Sequence, residues 1–365
     1  MISHIRIGDA CGIFGVIDER AKSISGAEVI TAMEAMSPRY NGLGAGFAGY
    51  GLYPKYKDYY ALHMAFYRKE SKLAVERSLK AKVEIVHEEP IPTHRTRKIR
   101  EKPVLWRYFV EPLPNRTSLK RQQTDDDQIV ELVTWVNSNF EDAFIFSSGK
   151  NVGVFKAVGY PWDVARFYRI DEYEAYMWLG HGRYPTNTPG WWGGAHPFNI
   201  LSWSIVHNGE ISSYGTNRRF VEQFGYQCTC QTDSEVLAYL FDLLVRRHKL
   251  PIEVACTAIS PPFWERIDKL GAEERKLHQA VRITYQDALV NGPVSSIVAA
   301  VRDTPCLIGF TDRIKLRPLV AARDGDRTYV ASEECAIKAI CPEPEAVWAL
   351  EAKTPLIARV QGGAT

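Results

Sequence analysis

The sequence stretch ACGIFGV places Cys11 at the start of an apolar run, directly before Gly12. A cysteine in this position is either an ordinary buried thiol or a nucleophile, because only the thiolate reacts and the surroundings decide whether it forms. The two interpretations differ in what must lie around the sulfur. A nucleophile needs other groups in the chain that bind a substrate and stabilise a developing negative charge.

The strand-like stretch IVHNGEIS ends in Asn208 and Gly209. An Asn-Gly pair at the end of a strand can direct a side-chain amide and a backbone N–H group to one point, as an oxyanion hole requires. An ordinary Asn-Gly turn is the alternative. In the following segment QTDSEVLAYL, Thr232 or Asp233 is a candidate helix N-cap. Capping alone accounts for this acid unless Asp233 also faces a ligand ammonium group.

The loop HGRYPTNTPGWWGGAHPF, residues 181–198, concentrates polar groups that could hold a substrate. Arg183 offers a planar guanidinium suited to a carboxylate, and Thr186 and Asn187 could add smaller polar contacts. The alternative is a surface loop with one structural salt bridge. His196, which precedes a proline, is expected to be a structural histidine rather than a catalyst.

Composition excludes several classes of protein. The chain has 365 residues, of which 45% are hydrophobic and 24% charged, as is typical of a globular protein with a substantial core. The formal net charge of +2 argues against a nucleic-acid surface over the whole molecule. No apolar run is long enough to cross a membrane, and residues 1–10 lack the apolar core of a secretory signal. Seven cysteines without disulfide or zinc spacing indicate reduced thiols, no metal site and a cytoplasmic protein.

The elements that would position these residues follow a recurring pattern of strand-like runs. Helical stretches such as DDDQIVELVTWVNSNF and SEVLAYLFDLLVRRH are fewer. Many strands with glycine turns and few intervening helices predict an α+β protein of packed sheets under helical outer layers. The literal G-x-G-x-x-G match at residues 44–49 follows a predicted helix, and no βαβ unit follows it. We therefore interpret its glycines as allowing close backbone packing, not nucleotide binding.

The segment from His94 to Arg121 stands out by its charge. It contains nine Lys or Arg residues against two Glu, and prolines interrupt it. Its stretch LWRYFV could form one strand. This composition favours a solvated, partly mobile insertion, and a docking surface for an acidic partner is the alternative. Nucleic acid is not expected, because the rest of the chain does not extend the basic face.

The order of the motifs is much more specific than any one of them. The Cys-Gly strand, Arg39, R-Y-P-T-N-T, A-H-P-F, H-N-G-E-I, T-D-S-E, then DRIKLRPL at 312–319 and V-A-S-E at 330–333, resemble the class II glutamine amidotransferases. Within that family the combination is most similar to the amidotransferase of glutamate synthases. The resemblance implies the four-layer αββα sandwich of N-terminal-nucleophile hydrolases, with two antiparallel sheets between helical layers.

The resemblance also implies catalytic roles. Cys11 would be the nucleophile and its own α-amine the general base, since an α-amine has a pKa of about 8. Residues 1–10 would then be a leader that is removed. Asn208 and the N–H group of Gly209 would hold the oxyanion of the tetrahedral intermediate.

Substrate contacts carry over in the same way. Arg183 would pair with the α-carboxylate of L-glutamine and Asp233 with its α-ammonium group, while Thr186 and Asn187 would line the same pocket. Arg39 matches the family's arginine beside the nucleophile. The glycine that follows this arginine in the family is Tyr40 here.

The expected organisation is an amidotransferase domain over residues 11–355, with the basic insertion at about 66–130 and a C-terminal tail at 356–365. Glutamate synthesis from 2-oxoglutarate needs a flavin and iron–sulfur clusters, and this chain has no cysteine spacing for a cluster. We therefore expect no cofactor in this chain and a flavin/iron–sulfur synthase subunit as the partner that receives ammonia. The alternatives are an amidotransferase for another acceptor, such as an N-methylglutamate-type synthase, and an unprocessed, non-catalytic glutamine-binding or assembly subunit.

Overall fold

The computed structural model describes residues 11–100, 102–114, 123–184, 190–352 and 354–362. Its helices are α1 (Gly26–Ala35), α2 (Lys69–Lys80), α3 (Asp125–Asn139), α4 (Pro161–Tyr168), α5 (Tyr214–Gln223), α6 (Asp233–Phe241), α7 (Ile252–Ile259), α8 (Trp264–Ile267), α9 (Ala272–Thr284) and α10 (Glu334–Lys338). Its strands are β1 (Gly12–Asp18), β2 (Ile24–Ser25), β3 (Ala45–Tyr50), β4 (Tyr60–Phe66), β5 (Val83–Pro90), β6 (Val104–Pro112), β7 (Ala143–Ser147), β8 (Val152–Ala157), β9 (Glu174–Ala175), β10 (Met177–Gly182), β11 (Phe198–Ile200), β12 (Trp203–Gly209), β13 (Val294–Val301), β14 (Pro305–Thr311), β15 (Val320–Asp324), β16 (Arg327–Ala331), β17 (Ala346–Ala349) and β18 (Leu356–Arg359).

Two antiparallel sheets form the centre of the molecule. The first has the order β17-β15-β16-β1-β10-β3-β8, and the second has the order β11-β12-β13-β14-β18. They stack face to face on apolar side chains, and Gly15 of β1 shows how closely. A Cβ atom at this position would lie 2.8 Å from Ile297 and 3.2 Å from Leu307, both on the facing sheet. Only glycine lets the inner strands approach to this distance.

Helices cover the outer face of each sheet. On the first sheet, a Cβ atom at Gly180 of β10 would lie 2.8 Å from the sulfur of Met33 in α1, and α4 and α10 pack beside α1. On the second sheet, α6 lies over β11 and β12, and all of its residues after Asp233 are buried. The order helix, sheet, sheet, helix confirms the predicted αββα sandwich.

The region expected as a basic insertion is an ordered part of the fold. Strands β5, β6, β4 and β7 form a third antiparallel sheet in that order, and α2 and α3 pack on it. The predicted strand LWRYFV lies within β6. The expectation of a solvated, partly mobile segment at residues 94–121 is corrected for Val104–Pro112, which is the largely buried strand β6, whereas the described residues 94–100 are mostly exposed. Exposed and partly buried side chains alternate along the neighbouring strand β5. Charge on the outward positions concealed this pattern.

The C-terminal boundary also needs correction. Strand β18 pairs with β14 from Cys306↔Arg359 to Gly309↔Leu356 and forms the edge of the second central sheet. The N–H group of Val360 then donates to the carbonyl of Pro305 at 3.0 Å. Residues 356–360 are therefore part of the domain and not of a tail, because they supply a ladder partner to an inner strand.

Candidate active site

Cys11 lies at the N-terminal end of β1, opposite the end of β10. The antiparallel ladder between the two strands begins with the pair Gly12↔Gly182. Cys11, which precedes Gly12, therefore lies near Arg183, which follows Gly182. The N–H group of Tyr184 donates to the sulfur of Cys11 at 3.4 Å. The carbonyl oxygen of Cys11 accepts a hydrogen bond from Nε of Arg39 at 3.1 Å. The carbonyl group and the side chain of Cys11 are thus fixed, with the sulfur held by a backbone donor.

The electrostatic environment of the thiol contains opposing effects. Burial raises the pKa of the Cys11 thiol, while the Tyr184 N–H group, Arg183 and Arg39 lower it and Asp233 raises it further. Burial is the largest cause, so the net direction is upward and the thiol is protonated at neutral pH. A reaction at this sulfur therefore needs a base that removes the proton.

Tyr40 explains the glycines beside Cys11. Its ring is 5% exposed, and its hydroxyl donates to the carbonyl of Met33 at 3.0 Å. A Cβ atom at Gly12 would lie 2.7 Å from this ring, and one at Gly182 would lie 2.3 Å from it. The ring covers the paired glycines of β1 and β10 and so closes one side of the thiol's surroundings.

Arg39 contacts the backbone of the nucleophile candidate rather than its sulfur. Its guanidinium also forms an ion pair with Glu333, the residue that ends the V-A-S-E motif. The preceding Ser332 exchanges two hydrogen bonds with Ile13, one through its hydroxyl at 3.2 Å and one through its N–H group at 2.9 Å. These contacts join positions about 300 residues apart and anchor the start of β1.

Arg183 follows β10 directly and is 9% exposed. Its backbone N–H donates to the carbonyl of Gly44 at 2.8 Å. Gly44 has φ +149°, and a Cβ atom there would lie 3.3 Å from the Arg183 side chain. Burial lowers the pKa of the guanidinium, while Cys11 and Asp233 raise it. Thr186 and Asn187, predicted for the same pocket, lie outside the described residues.

Asn208 and Gly209 end β12 as expected. Asn208 is 0% exposed, yet neither its amide nitrogen nor its amide oxygen has a hydrogen-bond partner among the described residues. A buried amide without a partner costs about 1–3 kcal/mol, which marks a group kept for something other than stability. Gly209 has φ +126°, and a Cβ atom there would lie 1.6 Å from the carbonyl oxygen of Pro293. No other residue fits this turn.

Asp233 is the first residue of α6, behind the N-cap Thr232. One carboxylate oxygen accepts the N–H group of Ile211 at 2.9 Å, and the other accepts the hydroxyl of Ser234 at 3.2 Å. The side chain keeps 24% exposure. Helix capping therefore falls to Thr232, and the Asp233 carboxylate is available to a ligand beside Cys11 and Arg183, on both of which its charge acts.

The residue before Asn208 links β12 to the strand that leads into Arg183. His207, which precedes Asn208, accepts at its carbonyl a hydrogen bond from Nε2 of His181 at 3.1 Å, and this bond joins β12 to β10. Tyr184, Ser332 and Glu333 were not assigned roles from the sequence. They lie within the R-Y-P-T-N-T and V-A-S-E motifs, which do not indicate what these residues contact.

Some alternative sites find no support in the described structure. In the described part of the chain, no group of three or more His, Cys, Asp or Glu side chains could hold a metal ion. Nor does any described helix have the length and apolar character of a membrane span. The G-x-G-x-x-G match lies mostly in β3, where a Cβ atom at Gly46 would lie 2.3 Å from the carbonyl of His196. Its glycines thus serve close packing, as predicted.

Stacked antiparallel sheets between helical layers, with a cysteine at the head of an inner strand, define an N-terminal-nucleophile fold. Over residues 60–344 the sequence matches the family of class II glutamine amidotransferases. The chain belongs to this family, whose members use glutamine as the ammonia donor.

Individual relatives extend the comparison. An uncharacterized protein of Archaeoglobus fulgidus is 47% identical over 355 residues, which cover 96% of this chain and 93% of that protein. An amidophosphoribosyltransferase of Methanocaldococcus jannaschii is 30% identical over 203 residues, 54% of this chain and 36% of the relative. A glutamine–fructose-6-phosphate aminotransferase of Sulfurisphaera tokodaii is 32% identical over 114 residues, 31% of this chain and 19% of the relative. The chain is thus similar to only a minor part of the two enzymes with named activities.

Proposed function

We propose that this chain is a glutaminase subunit, which releases ammonia from L-glutamine through a thioester on Cys11 and passes it to a synthase subunit. The observation that carries the proposal is the unpartnered buried amide of Asn208 next to the strained turn of Gly209. This amide lies in the same region as the Cys11 thiol, the buried guanidinium of Arg183 and the partly exposed carboxylate of Asp233. A thiol, an oxyanion site and paired ionic contacts are what acyl transfer from an amino acid amide requires.

Substrate binding follows from the charges of the site. The guanidinium of Arg183 pairs with the α-carboxylate of glutamine, and the carboxylate of Asp233 pairs with the α-ammonium group. Thr186 and Asn187 line the same pocket in this proposal. Two opposite charges at fixed positions select an α-amino acid and place its side-chain amide toward Cys11.

The chemical steps then use the remaining groups. The α-amine of Cys11 takes the thiol proton, the sulfur bonds to the amide carbon, and the carbonyl oxygen becomes an oxyanion held by Asn208 and the Gly209 N–H group. The carbon–nitrogen bond breaks as the amine returns its proton, so that ammonia leaves. Water then hydrolyses the γ-glutamyl thioester to glutamate and restores the thiol.

This base exists only if the bond between Ala10 and Cys11 is cut. An internal Cys11 has an amide nitrogen without basicity, and its thiol has a raised pKa. We therefore propose that residues 1–10 are removed in the active protein.

The test combines intact mass and N-terminal sequencing of the purified chain with a glutaminase assay. We expect a chain that begins at Cys11 and hydrolyses glutamine, and we expect Cys11→Ala to abolish the activity. Unprocessed protein that still hydrolyses glutamine would overturn the α-amine mechanism. Unprocessed and inert protein would instead favour a glutamine-binding or assembly role.

For the ammonia acceptor we propose 2-oxoglutarate, bound in a separate subunit that carries flavin and iron–sulfur clusters. The similarity of the R-Y-P-T-N-T, A-H-P-F and H-N-G-E-I motifs to glutamate synthases supports this choice. The test is affinity purification of the chain from its native cell, followed by assays of the complex with 2-oxoglutarate and other acceptors. Absence of any flavoprotein in the complex, or activity only with another acceptor, would contradict the proposal.

A further inference from the structure

A cluster of buried polar side chains lies directly behind Asp233. The hydroxyl of Ser234, a residue only 1% exposed, contacts three groups: Oδ1 of Asp233 at 3.2 Å, Nε2 of His196 at 2.7 Å and Nδ1 of His207 at 3.1 Å. The two histidines are 6% and 3% exposed. The cluster joins the loop before β11, the strand β12 and the helix α6 at one oxygen atom.

Hydrogen-bond chemistry allows one assignment that satisfies all three contacts. A carboxylate has no proton to give, so the hydroxyl of Ser234 donates its only proton to Asp233. Its two lone pairs then accept one N–H group each, from Nε2 of His196 and from Nδ1 of His207. In any other arrangement the hydroxyl would turn a lone pair toward the carboxylate, which is repulsive.

A third ring fixes the two histidines in place. His181 stacks on His196 with ring centroids 4.0 Å apart and an angle of 15° between the planes. Its Nε2 atom donates to the backbone carbonyl of His207, which can only accept. The second nitrogen of each ring has no partner among the described residues, so each is a bare lone pair and not a stranded N–H group.

The charge state of the rings agrees with this assignment. Burial lowers the pKa of all three histidines, that of His181 to about 3. The charged groups that face them act in both directions. Arg183, Lys156 and Arg317 disfavour protonation of these rings, whereas Asp233 and Glu210 favour it at His207. Neutral rings with one N–H group each are what the network requires.

We infer that Ser234 is a positioning residue that orients the Asp233 carboxylate for the α-ammonium group of the substrate, with His196 and His207 holding the serine. The inference rests on the proposed function of Asp233. The hydroxyl of Ser234 donates to Oδ1 of Asp233 and the N–H group of Ile211 donates to Oδ2. The remaining lone pairs of the two oxygens can accept from the ammonium group of the substrate. The network thus controls recognition of the ammonium group and takes no part in acyl transfer.

The experiment is a steady-state comparison of Ser234→Ala with the unaltered protein on two substrates. These are L-glutamine and its analogue without the α-amino group, 4-carbamoylbutanoate. We expect Ser234→Ala to raise KM for glutamine about 10-fold while kcat changes less than about threefold, since a lost hydrogen bond to a charged group has this size. For the analogue, kcat/KM should stay within about twofold, because it has no ammonium group to lose.

Companion variants separate positioning from general damage. His196→Gln keeps an N–H donor near the Nε2 position and should retain most of the affinity that His196→Leu loses. Ser234→Thr keeps the hydroxyl and should behave likewise. Ser260→Ala removes another buried hydroxyl, which donates to the carbonyl of Thr311 at 3.1 Å and is not part of this cluster. This variant should leave KM and kcat unchanged for both substrates.

Equal losses of kcat/KM on glutamine and on the analogue would overturn the inference, because Ser234 would then support the fold or the chemistry in general. Failure of the proposed function looks different: the unaltered protein itself would not hydrolyse glutamine. If the analogue turns over too slowly, competitive inhibition by L-glutamate and by glutarate gives the same comparison, and only inhibition by L-glutamate should weaken in Ser234→Ala.

Discussion

At the scale of single residues, the amide of Asn208 is distinguished by what it does not contact. Folded proteins pair nearly all buried polar atoms, so a fully buried amide with two unpaired atoms is maintained against stability. Asn217 is a natural comparison. It is equally buried, but its amide nitrogen donates to the carbonyls of Asp287 and Leu289 at 2.7 and 3.0 Å.

Asn208→Ala should lower kcat about 100- to 1000-fold, as loss of one oxyanion donor does, without lowering stability. Asn217→Ala should leave kcat nearly unchanged and reduce the free energy of unfolding by about 1–3 kcal/mol, because two partly buried carbonyls lose their donor. Glutaminase assays and urea unfolding of both variants check this. The reverse pattern would assign Asn208 to the fold.

The residues with proposed chemical roles could be identified from their types and order. The groups that hold those residues in position could not. Cys11, Arg183 and Asp233 were predicted, and the structure places them within electrostatic reach of each other. The donor to the Cys11 sulfur is a backbone N–H group, which every residue carries, so no side-chain pattern reveals it. Likewise Ser234 reads as an ordinary residue of a helix N-terminus until the histidines from two other segments are seen around it.

At the scale of elements, the start of β1 depends on a close fit with Tyr40. Its ring occupies the space that side chains at Gly12 and Gly182 would need. The helix α1 and the turn after it therefore position the strand that carries the nucleophile candidate. Tyr40 therefore has a structural role at the position that follows Arg39.

Gly182→Ala should destabilise the protein by at least about 2 kcal/mol, because its Cβ atom would lie 2.3 Å from the Tyr40 ring. Gly271→Ala is the matched control. No atom lies within 4 Å of that added Cβ, so there is no steric cost, and we expect only the loss of up to about 1 kcal/mol that Ala in place of Gly causes at a helix N-cap. Thermal or urea unfolding measures both. A Gly182→Ala protein as stable as the control would show that Tyr40 does not hold the strand.

Elements were predicted where the hydrophobic pattern was strong and missed where charge interrupted it. The strands around Cys11 and Asn208 are apolar runs and were identified directly. Strand β5, VEIVHEEP, carries Glu at outward positions and looked like part of a polar insertion. Its partner β6 and the helices α2 and α3 bury the other face, and a sheet of this kind becomes visible only when all its members are placed together.

At the scale of the whole molecule, buried neutral histidines link stability to pH. His63 is 0% exposed; its Nδ1 contacts the carbonyl of Val154 at 2.8 Å and its Nε2 the hydroxyl of Tyr53 at 2.8 Å. Burial lowers its pKa to about 3, as it does for His181. Such a ring stays neutral in the folded protein at pH values where the unfolded chain is protonated.

Stability should therefore fall as the pH drops below about 6.5. Between pH 6.5 and about 3 the unfolded chain binds a proton at each of these histidines and the folded chain does not. From pH 7.5 to pH 5.0 each contributes a loss of up to about 2 kcal/mol. Urea unfolding at the two pH values measures the difference.

His63→Met tests this attribution directly. The variant should lose part of the difference between pH 7.5 and pH 5.0, whatever it costs in absolute stability. Leu62→Ala, one position away in the same buried strand, should lower stability equally at both pH values. A pH dependence that His63→Met leaves unchanged would mean that other groups cause it.

The hydrogen bonds of Cys11 within the described residues involve its carbonyl oxygen and its sulfur but not its backbone nitrogen. Arg39 holds the carbonyl oxygen and Tyr184 the sulfur, while the backbone nitrogen takes part in no hydrogen bond found within the described chain. The architecture thus grips this residue from its C-terminal side. Cleavage of the bond between Ala10 and Cys11 would therefore break none of these hydrogen bonds. The same bonds to the carbonyl oxygen and the sulfur would then hold the new α-amine in place.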